Sequence, residues 1–216
     1  MQQVAIIGLS SFGTYLAKAL AENGSSVLVV DNNKTIIDDI KAHVDKAIIA
    51  DATDRRIIKE LNLIEMDEVI VSLGSNLESS ILVALHLTEA GIKNITAKAT
   101  SEDHAKILEK IGVQKIIFPE RDMGLRLAQS LAKQNIIDYM PLGDEFSIIE
   151  TFPTEEMLGK SLIELNFREK YKCQVIAIKT AGKNEHTDIP SPRAIISENQ
   201  TLIILGRNED LEFMKK

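Results

Sequence analysis

The sequence predicts an α/β fold in three parts: a doubly wound parallel sheet, a long helix, and a small α+β domain. Three observations carry this. Short β-branched runs alternate with amphipathic stretches as far as Phe118. The first run ends in a glycine turn, Gly8 to Gly13, and the second ends in an acid, Asp31. Beyond Pro119 the alternation stops, and a helical pattern gives way to alternating strands. The expected boundaries are 1–118 for a Rossmann-type nucleotide-binding domain, 119–140 for a crossover or linker helix, and 141–216 for the small domain.

The expected strands of the first part are 4–7, 27–30, 47–49, 68–72, 96–99 and 115–118. They are nearly continuous apolar runs, as strands covered on both faces should be. Helical periodicity fills 12–23, 34–43, 54–61, 77–90 and 102–111, with Leu16, Leu20 and the alanines marking the buried face of the first. Such βαβ alternation argues for a parallel sheet with helices on both sides. Gly24, Gly91 and Gly112 each fall where a helix should end before the next strand. Residues 119–139 read as one helix. Pro119 sits in its first turn, where a missing N–H costs nothing, and Met123, Leu127 and Leu131 are spaced four apart. That helix suits a linker, a dimer surface or a helix packed on its own domain. In the last part, 146–152 alternates like an edge strand and 158–170 looks helical, entered through Gly159-Lys160-Ser161. Residues 174–179 and 201–205 read as strands, with an irregular turn at 188–192 and a short closing helix at 210–216.

Composition removes several function classes. Asp and Glu outnumber Lys and Arg by 32 to 25, a net charge of -7. A nucleic-acid-binding protein usually shows a basic face, and none is indicated here. Cys173 is the single cysteine, which excludes an intrachain disulfide and a thiolate cluster and fits a reducing cytoplasm. No apolar run approaches the roughly 18 residues of a membrane helix, and the first residues lack a signal-peptide shape.

The opening turn reads Gly8-Leu9-Ser10-Ser11-Phe12-Gly13. A dinucleotide fingerprint is G-x-G-x-x-G, and here Ser10 stands at the middle glycine, which normally lets the pyrophosphate approach the backbone. Serine adds a Cβ but also a hydroxyl able to donate to phosphate, as does Ser11. The helix N-terminus offers free amides and the positive end of its dipole. Asp31 stands near the expected spacing of about 20 residues after the glycines, where a carboxylate accepts from ribose hydroxyls and repels a 2′-phosphate. Asn32 follows it. Asp51 and Ala52, at the third strand end, are candidates for contact with adenosine. Asp54 reads as a helix cap. Leu73, Gly74 and Asn76, in the Leu73-Gly74-Ser75-Asn76 turn after the fourth strand, complete a crevice at the carboxyl ends of the strands.

Gly8 to Gly13, Asp51-Ala52-Thr53-Asp54, Lys98-Ala99 and Phe118-Pro119-Glu120-Arg121-Asp122-Met123-Gly124 together resemble the RCK, or TrkA-N/TrkA-C, proteins. These are cytosolic regulatory subunits of bacterial Ktr and Trk potassium-uptake systems, and the resemblance to the Ktr type runs the whole length. It implies homodimers pairing through the crossover helix, an octameric ring beneath a membrane potassium-translocating subunit, and gating by ligand exchange. The chain would then be cytoplasmic, peripheral on the inner face of the membrane. The resemblance implies ADP or ATP in the crevice, with NAD or NADH as the alternative. It places Lys98 near the phosphates, and Glu120 as a carboxylate for a divalent cation, Mg²⁺ or Ca²⁺. It also implies cyclic di-AMP on the small regulatory domain, at positions Leu162, Ile163, Arg168, Gln174 and Pro190. One departure is plain: most Ktr-type members carry arginine where Ser11 stands, so preference for the γ-phosphate is expected to be blunted.

Two rivals follow from the residues alone. A small NAD-dependent reductase needs a proton donor, yet Tyr15, Tyr139 and Tyr171 lack a lysine four residues on, and His43, His86, His104 and His186 are scattered. A free-standing nucleotide sensor needs no membrane partner.

Overall fold

The structure is a computed structural model that describes residues 1–74, 76–132, 135–182 and 186–215. Ser75 of the turn after the fourth strand and Lys216 of the expected closing helix lie outside them. The chain divides into two compact units, Met1–Pro119 and Glu120–Lys216.

The first unit alternates strand and helix throughout: β1 Gln3–Ile7, α1 Ser11–Glu22, β2 Ser26–Asp31, α2 Lys34–Ile40, β3 Lys46–Ile49 and α3 Arg55–Glu60, followed by β4 Glu68–Val71, α4 Leu77–Glu89, β5 Ile95–Lys98, α5 Glu102–Ile111 and β6 Lys115–Ile117. The six strands are parallel in the order β3-β2-β1-β4-β5-β6. That is the dinucleotide-binding order, with its topological switch between β1 and β4. The twofold period of the strands builds a core on each face. Val4, Ile6, Val27 and Val29 pack with Ala17, Ile37 and Ile40 from the helices of one layer. Ala5, Ile7, Leu28, Val30, Val69 and Val71 pack with Val83, Leu87 and Leu108 of the other. Burying each Val or Ile contributes about 1.5–3 kcal/mol, so the continuous apolar strands specify a doubly covered sheet. Helix ends are set locally. Asn33, Asp54, Asn76 and Ser101 accept amides of the turns they open, and Gly112 closes α5 in the left-handed conformation.

The second unit departs from the sequence reading in three places. Helix α6 spans Pro119–Leu131 rather than running on to 139 or 140. Residues Ile136–Leu142 form strand β7, which turns at Gly143 (φ 71°) into β8, Phe146–Thr151. The β-branched pair Ile136-Ile137 and Pro141 favour the extended backbone over the helix. Strand β8 consequently lies inside the sheet between β7 and β11, not at its edge. Third, 158–170 is not one helix. Ser161 bridges to Ile195, Asn166 is left-handed (φ 44°), and only α7, Phe167–Tyr171, is helical there. Ser161 and Glu164 make the reciprocal bonds of a capping box, with Ser161 N donating to Glu164 Oε2 at 2.8 Å, but they close a single turn. Strands β9 Gln174–Thr180, β10 His186–Asp188 and β11 Gln200–Arg207 complete an antiparallel sheet ordered β10-β9-β11-β8-β7. Its core holds Ile149, Met157, Ile196, Leu202 and Ile204. Among the described residues no helix is long and apolar enough to cross a membrane.

Candidate nucleotide crevice and a second cavity

The parallel register places the ends of β1 and β4 side by side, and the glycine turn is shaped by that neighbour. Gly8 has φ +88°, and a Cβ there would stand 2.7 Å from the Ser72 carbonyl oxygen. A Cβ on Gly13 would stand 2.5 Å from the Gly8 carbonyl oxygen. Both positions therefore require glycine, one for backbone conformation and close approach and the other for close approach alone. Gly13 lets α1 rise directly from the strand end, so the helix dipole points back over the turn.

Acidic side chains brace the same turn from the neighbouring strand. Asp31, the last residue of β2, accepts from Leu9 N at 2.7 Å through one oxygen and from Asn33 N at 2.8 Å through the other. A carboxylate has about four acceptor sites, so Asp31 fixes the backbone and still has capacity for ribose hydroxyls. Asp51 uses one oxygen for the amide and hydroxyl of Thr53, at 3.0 and 2.7 Å. Ser10 caps α1, and its Oγ lies 2.7 Å from Ser72 Oγ.

These groups enclose a crevice of about 350 Å³. Gly8, Leu9, Ser10, Asp31 and Asn32 line it, as do Asp51, Ala52, Leu73, Gly74 and Asn76. The structure thus brings together ten of the fifteen residues read from the sequence for this ligand and its cation. The rest stand elsewhere. Ser11 is exposed and lines a separate depression with Tyr15, Lys18 and Asp39, because the first helical turn rotates it off the crevice. Phe12 is half-buried, Gly13 packs behind the turn, and neither is in the lining. Lys98 ends β5 and is buried, away from the lining. Glu120 is exposed in the first turn of α6 and belongs to the second unit. Sequence reasoning missed Asn33, Ile36, Thr53, Ser72 and Ser79. For Ser72 and Ser79 the only signal was proximity to the end of β4.

The described lining holds two carboxylates, from Asp31 and Asp51, and no lysine or arginine. Negative charge on a ligand must therefore be met by hydroxyls, turn amides and the N-termini of α1 and α4. Ile36, Ala52, Leu73 and Val83 provide apolar walls for a planar base. The described lining contains neither histidine nor tyrosine. Among the described residues no group of three His, Cys, Asp or Glu is arranged to hold a metal ion.

The second unit carries a cavity of about 450 Å³. Leu162, Ile163, Arg168, Gln174 and Pro190 all line it, together with Phe167 and Pro192. Arg168 Nη2 donates to Gln174 Oε1 at 2.8 Å, which holds the guanidinium at the wall. Ile163 N donates to the Pro192 carbonyl, tying the two loops across the opening. The Cys173 thiol in this wall is buried, and burial with the nearby Asp210 charge pushes its pKa up to about 11. It packs as a small apolar group rather than acting as a nucleophile.

The TrkA-N domain family matches residues 4–119 and the TrkA-C domain family matches residues 149–216. The chain is 41% identical over 214 residues to the Ktr system potassium uptake protein A of Bacillus subtilis (strain 168), covering 98% of this chain and 94% of that one. It is 37% identical to the Ktr system potassium uptake protein C of the same organism, covering 100% and 96%. Among solved structures, the GsuK channel bound to NAD superposes with a TM-score of 0.70 at 16% identity, over 100% of this chain and 39% of that one. That likeness is one of fold.

Proposed function

This chain belongs to the family built from a TrkA-N and a TrkA-C domain, and from that premise we propose that it is the nucleotide-sensing regulatory subunit of a potassium-uptake system. One observation carries the reading: a chain similar end to end to potassium uptake proteins has a nucleotide-sized crevice at its β1/β4 switch point. The ligand is ADP or ATP, with NAD or NADH as the alternative. Asp31 accepts from the ribose and the α1 N-terminus faces the phosphates. With no lysine or arginine in the described lining, a γ-phosphate gains little, so ATP binds no more tightly than ADP. A divalent cation, Mg²⁺ or Ca²⁺, would be held mainly by phosphate oxygens and water with Glu120 as a protein carboxylate, a ligand set that Mg²⁺ accepts. Lys98, buried outside the lining, would add only a longer-range positive potential to the phosphates.

The subunit works as a homodimer within a larger ring, an octamer by family resemblance, on a membrane potassium-translocating partner at the cytoplasmic face. Exchange of the nucleotide changes the ring and gates the partner. Cyclic di-AMP occupies the second cavity, where Arg168 meets phosphate and Leu162, Ile163 and Pro190 meet adenine.

Calorimetric titration with ADP and ATP tests the ligand. Affinities within about threefold of each other are expected, since a γ-phosphate that meets no lysine or arginine in the described lining gains little; an ATP affinity far above that for ADP would sink the reading. Co-purification with a membrane subunit whose potassium flux responds to the nucleotide tests the role. A chain that purifies alone and leaves flux unchanged is a free-standing sensor.

A further inference from the structure

The depression that holds Ser11 lies outside the nucleotide crevice, and its make-up suits a ligand of its own. It is set between α1 and α2 and has a volume of about 370 Å³. That falls within the roughly 300–1,000 Å³ usual for small-molecule sites. Two helical faces build it. Ser11, Tyr15 and Lys18 follow one face of α1, and Ile36, Asp39 and Ile40 follow one face of α2, because residues three and four apart on a helix stand above one another.

Leu9, Ile36 and Ile40 make an apolar floor. Leu9 and Ile40 are buried, and all three belong to the core on this face of the sheet. Polar groups surround that floor. The Thr14 hydroxyl is committed, donating to the Leu9 carbonyl at 3.3 Å. The side chains of Ser11, Tyr15, Lys18 and Asp39 have no hydrogen-bond or ion-pair partner among the described residues. Asp38, next to Asp39, is already paired with Lys41 at 2.7 Å. Lys18 and Asp39 thus line one depression with opposite charges, yet more than 4.0 Å separates their charged atoms, too far for a direct pair. A molecule with one charge attracts one of them and repels the other, and the two effects oppose. A molecule with an ammonium and a carboxylate on one carbon satisfies both, and an apolar side chain covers the floor.

We infer that the depression between α1 and α2 is a binding site for a free α-amino acid with an apolar side chain. Lys18 and the hydroxyls of Ser11 and Tyr15 meet the carboxylate, Asp39 meets the ammonium, and Leu9, Ile36 and Ile40 meet the side chain. The site adjoins the nucleotide crevice, since Leu9 and Ile36 line both. Leu9 is also held from the crevice side, where its amide donates to Asp31 at 2.7 Å. A shift of either side chain moves a wall of both sites, so each ligand alters the affinity for the other. That coupling alone rests on the nucleotide reading above.

Saturation-transfer NMR titration of the full chain with L-leucine tests the site. L-Leucine should bind about tenfold more tightly than isocaproate, which lacks the ammonium, or isoamylamine, which lacks the carboxylate. Asp39→Asn should narrow the lead of L-leucine over isocaproate, and Lys18→Gln its lead over isoamylamine. Neither side chain has a described partner, so both variants should melt with the wild type. A chain that does not bind L-leucine, that binds the single-charge analogues equally well, or whose preference neither variant moves would overturn the inference. Calorimetric titration with ADP, with and without saturating L-leucine, should give affinities about fivefold apart. Equal ADP affinities with L-leucine bound would remove the coupling and leave the site. ADP that binds in neither condition would overturn the nucleotide reading and leave the amino-acid site standing.

Discussion

His104 shows how a single buried side chain makes the first domain sensitive to acid. It sits in the first turn of α5, almost wholly buried, with Nδ1 3.3 Å from the Thr100 amide. Accepting that amide puts the imidazole proton on Nε2, which has no hydrogen-bond partner among the described residues. A charged imidazole there would bring a second proton and no acceptor, and burial lowers the His104 pKa from the ordinary 6.5. In the unfolded chain the same group takes its proton near 6.5. Between that value and the lowered folded one the unfolded state binds more protons, so stability falls as the pH falls through this window. His104→Asn keeps an acceptor for Thr100 and cannot titrate. The variant should lose less stability than wild type in urea unfolding between pH 7.5 and 5.5. Parallel pH curves for the two proteins would refute the assignment.

At the scale of elements, α6 and β7 meet through a charged fork. Arg126 Nε donates to Asp138 Oδ1 at 2.9 Å, and Nη2 donates to Oδ2. No described residue of α6 is buried, and Met123, Leu125, Leu127 and Leu131 are exposed. The fork, not a packed face, therefore tethers this helix to the strand that follows it. The Arg126 hydrogen bond holds the Asp138 carboxyl below the usual carboxylate range. Its contribution is thus complete at neutral pH and disappears only as pH drops through that lowered value. Asp138→Asn at pH 7 should speed amide exchange along α6 and lower the melting temperature by about 2 °C, the scale of a half-exposed ion pair. Unchanged exchange in α6 would show that something else holds the helix.

These same elements mark where sequence patterns stop specifying structure. The parallel strands were readable because each is buried on both faces, and a run such as Val27–Val30 has one stable use. The helical spacing of Met123, Leu127 and Leu131 carries no signal for where the helix stops, and the strand state of β7 depends on pairing with β8. Likewise 158–170 has helical spacing, but the Ser161 bridge to Ile195 joins segments far apart in the chain. In the crevice the legible residues were those whose backbone needs are local: Gly8, the Asp31 strand end and Asp51. Ser72 enters through the β1–β4 register and Ser79 through the first turn of α4 that follows β4, neither of which a local window displays. Ser11 failed for a smaller reason: adjacent residues on a helix point about 100° apart, so its neighbour Ser10 faces the crevice and it does not.

For the whole molecule, the two units are two folding problems. One core is built on a parallel sheet with helices on both faces, the other on a five-stranded antiparallel sheet, and each carries its own cavity. A ligand bound only to the native form of one unit stabilises that unit, by about 2.7 kcal/mol at a hundred times its dissociation constant. For a domain near 100 residues that is an increase of roughly 10 °C or more. Calorimetric melting should accordingly resolve two transitions. ADP should raise the one belonging to the parallel-sheet domain, and cyclic di-AMP the other. Arg168→Ala should abolish the cyclic di-AMP shift and leave the ADP shift intact, because the two side-chain sets share no residue. A cyclic di-AMP titration that moves neither transition would remove the second ligand from the scheme. A single transition raised equally by both ligands would mean that the domains unfold as one, and that the separate cores do not confer separate stability.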